Sequence, residues 1–242
     1  FNNIETLRKN GVSFKNMDTG QKFDDISNKI YSANVYIDSF CIAEALNEGA
    51  QIVLSGRVSD PGLALGPCIH EYKWKKNEYN KLASGTLAGH IIECGAQCTG
   101  GNYTNWKDVP NMENIGYPII EMSNDGSFAI TKEDSSGGLV NKHTITEQIL
   151  YEMGDPKKYI SPDVCVDFTS FDLIDDNKNC VYINSVKGAK PTDTYKVSIS
   201  YFGGYKASGQ LTISGPDAYE KAKLTSKIIW KRLKMSGYVF EQ

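Results

Sequence analysis

Apolar residues in the first 160 positions recur in short blocks whose spacing switches between the two-residue period of a strand and the 3.6-residue period of a helix. Ile4 to Lys9, followed by Asn10-Gly11, reads as the last turns of a helix with a glycine stop. Ile30 to Ile37 predicts a strand. Residues 38–47 predict a helix that puts Phe40, Cys41, Ala43, Ala45 and Leu46 mostly on one side and stops at Gly49. Gln51 to Leu54 predicts a short buried strand, and a helix from about Gly62 to Tyr72 follows the break at Asp60-Pro61. Leu82, Ala83, Leu87, Ala88, Ile91, Ile92 and Gly95 predict a helix over 83–97. Glycines in that helix cost about 1 kcal/mol each against alanine, so another element is expected to approach it closely. The alternation of strand and helix predicts an α/β fold, a parallel sheet with crossover helices.

The texture then changes. Residues 98–117, rich in glycine, asparagine and proline, read as a long loop. Ser127 to Thr131 predicts a strand, Ser135-Ser136-Gly137-Gly138 a turn, and Thr144 with Glu147 a capping box opening a helix that ends at Gly154-Asp155-Pro156. Beyond Pro162, strands are predicted over 164–173, 181–186, 195–202 and 205–213, joined by hairpin chemistry at 175–179 and Gly203-Gly204. This antiparallel β-meander is closed by a C-terminal helix from Pro216 to about Met235. Two regions are therefore expected: an α/β region over 1–160 and an α+β region over 161–242.

With 242 residues, 40% hydrophobic and 23% charged, the composition is that of an ordinary folded chain and excludes disorder, collagen and coiled coil. No apolar stretch approaches the roughly 20 residues that span a bilayer, which argues against a membrane protein. A net charge of −3 provides no broad positive field for nucleic acid. The six cysteines sit mostly inside apolar elements, so they read as free thiols of a reducing compartment and point to the cytoplasm.

Chemistry concentrates at four places. Leu54 to Asp60 leaves a predicted strand and enters a helix, where anions bind in open α/β folds. Of 26 basic side chains only Arg8, Arg57 and Arg232 are arginine. Arg57, whose planar fork suits a carboxylate or phosphate, is thus a ligand-binding candidate with Ser59. The competing reading has Asp60 capping the next helix and pairing with Arg57. On the glycine-bearing helix, His90, Glu93, Cys94, Gln97 and Cys98 fall in one broad stripe, so His90 and Glu93, with Asp60, are the candidate proton-transfer groups. The plainer alternative is a satisfied core histidine among small core thiols. No familiar zinc spacing occurs, so no metal is expected. Gly100, Gly101 and Asn102, and Gly137 and Gly138, are candidate anion nests, with turn glycines the competing reading. Lys132 could reach a phosphate or simply face solvent.

Together these segments resemble a known family. Gly56-Arg57-Val58-Ser59-Asp60, Gly85-Thr86-Leu87-Ala88-Gly89-His90-Ile91-Ile92-Glu93-Cys94-Gly95-Ala96-Gln97, Asp125-Gly126-Ser127-Phe128, Gly137-Gly138-Leu139-Val140 and Glu147 to Pro156 are similar to segments of the acyclic terpene utilisation protein A family, in family order. The resemblance implies a role in acyclic terpenoid catabolism, through branched acyl-CoA thioesters, with no assigned reaction and hence no catalytic residue to carry over. It also implies a further amino-terminal α/β region before Phe1, which a companion subunit or a homo-oligomer would supply. The expected function is an enzyme of hydratase, isomerase or lyase type acting on a small-molecule substrate, with coenzyme A as part of that substrate. The alternative is a non-catalytic ligand-binding or assembly subunit whose Gly85 and Gly89 receive a partner helix.

Overall fold

The computed structural model describes residues 3–239. In chain order it has α1 (Ile4–Lys9), β1 (Ile30–Val35), α2 (Phe40–Asn47), α3 (Gly62–Tyr72), α4 (Tyr79–Ile92), β2 (Pro118–Met122), β3 (Phe128–Lys132) and α5 (Lys142–Leu150). The short strands β4 (Tyr159–Ile160), β5 (Cys165–Asp167), β6 (Asp172–Asp175), β7 (Val181–Asn184), β8 (Lys187–Ala189) and β9 (Val197–Tyr201) follow, then α6 (Ala218–Met235). Two compact units result, one ending at Tyr201 and the other beginning at Phe202.

The first unit is organised around α4, buried on every face from Leu82 to Ile91. A helix apolar all round belongs inside a core, and α3, α5, β2, β5 and β8 surround this one. The expected close approach is made by α3 and the turn before it. A Cβ on Gly85 would lie 2.6 Å from the Leu65 side chain, and one on Gly89 would strike the Pro61 carbonyl and lie 2.7 Å from Pro61 Cα. The helix ends at Ile92, five residues earlier than the spacing predicts, because Gly95 turns to φ +56° and a single 3₁₀ turn over Gly95–Gln97 follows.

The predicted parallel sheet is not formed. The three sheets, ordered β1-β9, β2-β3-β7-β6 and β4-β5-β8, pair antiparallel at every strand contact. Parallel contact is limited, among the described residues, to two isolated bridges, Ile37 with Val58 and Ile115 with Gly137. The helices of the predicted crossovers and the strand at Ile30 are present; the strand predicted over Gln51 to Leu54 is missing. Gln51 to Leu54 is a bend with Ile52 89% and Leu54 98% exposed, and β1 takes β9 as its neighbour instead. A run as short as Ile52-Val53-Leu54 carries strand propensity but names no partner.

Smaller departures have local causes. The cap of α5 is Asn141, whose side chain accepts from His143 and Thr144 N–H while Thr144 Oγ1 accepts from Asn141 N–H, so Thr144 sits at the third position of the box. Glu147 is thereby released to accept from Thr104 N–H at 3.0 Å. The 175–179 hairpin forms between β6 and β7, with Asn177 and Asn179 at positive φ. Gly203-Gly204 joins no second strand; in the second unit residues 205–213 form no strand, and Tyr205 is 97% exposed. Leu211 and Ile213 there share a groove with Ala222, Ile229 and Leu233 of α6.

Candidate functional site

Three segments converge beside the end of α4. The bridge of Val58 to Ile37, with Ile37 N–H donating to Arg57 at 3.0 Å, anchors the turn that carries Arg57 to Pro61. Gly89 lets Pro61 rest on the helix, which brings Asp60 next to Glu93, one turn along. The link from α5 to β4 supplies Glu152, and β4 itself supplies Tyr159.

His90 is buried, 5.7 Å from the Tyr159 ring and 5.5 Å from Phe168, which stack on each other at 4.8 Å. Its Nε2 lies 3.3 Å from the Ile149 carbonyl. A carbonyl only accepts, so Nε2 carries the hydrogen and Nδ1 keeps its lone pair. Nδ1 lies 3.9 Å from Glu93 Oε1. Gln148 Nε2 donates to the His90 carbonyl at 3.1 Å, holding the same turn from α5. Burial lowers the His90 pKa, which keeps the ring neutral.

Glu93 moves the opposite way. Its residue reaches solvent at the helix end, yet its side chain is only 17% exposed. Burial, then the charges of Asp60 and Glu152, push its carboxyl up to about 7. Glu152 holds its place at φ +53°, an uncommon conformation for a residue with a side chain. Burial also raises the Tyr159 phenol, so its hydroxyl remains a hydrogen-bond donor. These groups border a cavity of about 250 Å³ completed by Tyr36, Ser59, Ser161 and Lys196. The Tyr36 ring carries two cations, Arg57 Cζ at 5.2 Å and Lys196 Nζ at 5.3 Å. Arg57 also pairs with Asp60 at 3.3 Å.

The structure thus brings Ser59, Asp60, His90 and Glu93 together, whereas Arg57 does not line the cavity and lies against the ring of Tyr36, which does. The other candidates lie elsewhere. Gly100 and Gly101 donate to Gln97 and Ala96, and Gly137 and Gly138 to Asn114 and Pro110, so these N–H groups tie the loops of the chain to itself. Neither pair, nor the exposed Asn102, lines the cavity. Lys132 is buried and donates to the carbonyls of Ser136 at 2.8 Å and Glu133 at 3.3 Å. Tyr36, Glu152, Tyr159, Ser161 and Lys196 were missed. Glu152 stands inside the Glu147 to Pro156 segment that carried the family resemblance, whereas nothing local marks the others. The six cysteines are free thiols. Among the described residues no three His, Cys, Asp or Glu side chains are grouped to hold a metal ion.

The family model described as acyclic terpene utilisation family protein AtuA matches residues 1–242, the whole chain. The chain belongs to the AtuA family. Neither a curated protein nor a solved structure matches it. The family name links this AtuA chain to acyclic terpene utilisation. No helix among its described residues is long and apolar enough to cross a membrane. The Gly85 and Gly89 face of α4, which the assembly reading reserved for a partner helix, is filled in this AtuA chain by Leu65 and Pro61.

Proposed function

We propose that this AtuA-family chain is an enzyme that transfers a proton at a carbon next to the carbonyl of a branched acyl thioester or a related carboxylated acyclic terpenoid. The observation that carries the reading is a carboxyl, Glu93, held at about 7 in a cavity and faced by the unprotonated nitrogen of His90. A general base is most effective when its pKa lies near the working pH. As a carboxylate, Glu93 takes the proton from the carbon, and the C–H electron pair passes to the carbonyl oxygen as an enolate. Tyr159 stands on the same wall with a hydroxyl to donate to that oxygen. Glu93 then returns the proton to the same or a conjugated carbon. Arg57 and Lys196, on the two cation contacts of Tyr36, suit the phosphates of a coenzyme A thioester or a free carboxylate.

The test is hydrogen exchange in D₂O. Branched saturated and unsaturated acyl-CoA thioesters are incubated with the protein, and deuterium uptake next to the carbonyl is followed by mass spectrometry. The wild type should incorporate deuterium, and Glu93→Gln should slow incorporation by about 10²- to 10⁴-fold. Arg57→Ala should weaken binding of the thioester. Binding without exchange across the panel, or equal exchange in Glu93→Gln, would overturn the proposal.

A further inference from the structure

We infer that a groove on the other side of Asp60 and Glu93 seats the hydrocarbon chain of the substrate, an inference that rests on the proton-transfer reading. The groove, about 500 Å³, is walled by Leu63 and Ala64 of α3, by Gly89 and Ile92 at the end of α4, and by Cys94 just past it. Asp60 and Glu93 line both this groove and the polar cavity. The two spaces therefore share a wall that includes the carboxyl assigned to proton transfer.

Their walls differ in kind. The polar cavity presents Tyr36, Ser59, His90, Tyr159 and Lys196. Among the described residues, the charged side chains that line the groove are the two carboxyls it shares with the cavity. Burial raises the Cys94 thiol, so it faces the groove uncharged. Leu63 is 67% exposed and Ile92 half-buried, so an apolar wall stands wet beside an acid–base site. Covering it with hydrocarbon is favourable in proportion to the area removed from water. An anionic occupant would meet Asp60 and Glu93 on the shared wall and be repelled. The occupant is thus an uncharged aliphatic segment on the reacting-carbon side of the molecule, while the anionic end of the same molecule lies toward Lys196 and the Tyr36 ring that Arg57 covers.

Calorimetric titration of the protein with coenzyme A thioesters lengthened one methylene at a time tests this, with free coenzyme A as the reference. In the wild type the dissociation constant should fall about fourfold per methylene, the equivalent of ~0.8 kcal/mol, until the groove is filled. Ala64→Phe should end the series at a shorter chain. Leu63→Asp, at an exposed position that leaves the core intact, should flatten it. A dissociation constant independent of chain length, or a length dependence unchanged in both variants, would overturn the subsite. The exchange assay separates the two claims: length-dependent binding without deuterium uptake rejects proton transfer alone, whereas uptake with flat affinity rejects the subsite alone.

Discussion

Replacing Glu93 by glutamine removes a titration from the folded state at nearly constant volume, and the structure fixes the sign of the effect. Glu93 has an ordinary value of 4.5 and is raised to about 7 by burial among Asp60 and Glu152. The folded chain therefore binds this proton more tightly than the unfolded chain. Its contribution to stability is complete below about pH 4.5 and is lost as pH rises through about 7. A shift of this size, at about 1.4 kcal/mol per pH unit, would correspond to about 2–3 kcal/mol between pH 5 and 8.5 for a fully buried carboxyl, and solvent screening at a residue that reaches water reduces it to about 1–2 kcal/mol. For a chain of this length each kcal/mol moves the midpoint by about 2–4 °C, so wild type should lose roughly 2–8 °C over that interval relative to Glu93→Gln. Differential scanning calorimetry of both proteins at the two pH values is the assay. Asp163 and the other titrating groups are common to both proteins, so taking the difference cancels most of their effect. A midpoint difference that is the same at pH 5 and pH 8.5 would show an ordinary carboxyl at position 93, and the proton-transfer reading would lose its main support.

Other outcomes follow from neighbouring geometry. Gly89→Ala places a methyl group against the Pro61 backbone and should cost about 1–3 kcal/mol, read as a lower thermal midpoint; an unchanged midpoint would mean the turn is not pressed on α4. His90→Ala removes the ring whose Nδ1 faces Glu93 and should reduce deuterium exchange by about 10²- to 10⁴-fold when assayed below the variant's own midpoint; full exchange would remove His90 from the chemistry. Asp163, buried and accepting from Ser39 N–H and Oγ at 2.8 Å each, is raised by burial to about 6. Wild-type stability should therefore fall between about pH 4 and 6 by a component absent in Asp163→Asn. Urea midpoints across that range check it, and equal slopes in the two proteins would refute the assignment.

What could be read in advance and what could not divide along a physical line. Helices declared themselves, since their apolar residues repeat over 11 residues or more in α3 and α4, and glycines at 85 and 89 announced a close neighbour before that neighbour was known. Strand partners did not, because a period of two in four to six residues says which face is apolar but not which segment pairs with it. Ile30 to Val35 was recognisable as a strand, yet its partner Val197 to Tyr201 lies more than 160 positions away. The site shows the same division. His90 and Glu93 lie at one helix end, where spacing groups them, whereas the turn of Ser59 and Asp60 reaches them only through the approach of Pro61 to Gly89. Glu152, Tyr159 and Lys196 reach the cavity only because α5, β4 and the approach to β9 fold back over α4. The property that gives Glu93 its proposed role depends on those distant residues. A glutamate just past the last turn of a helix is an ordinary surface acid by sequence; burial, the charge of Asp60 and then that of Glu152, 59 positions away, are what hold its proton near neutrality. Glu152→Gln should accordingly lower the Glu93 pKa without touching its contacts to His90, and a carbon-13 titration of Glu93 that is identical in that variant would leave burial and Asp60 as the sole causes.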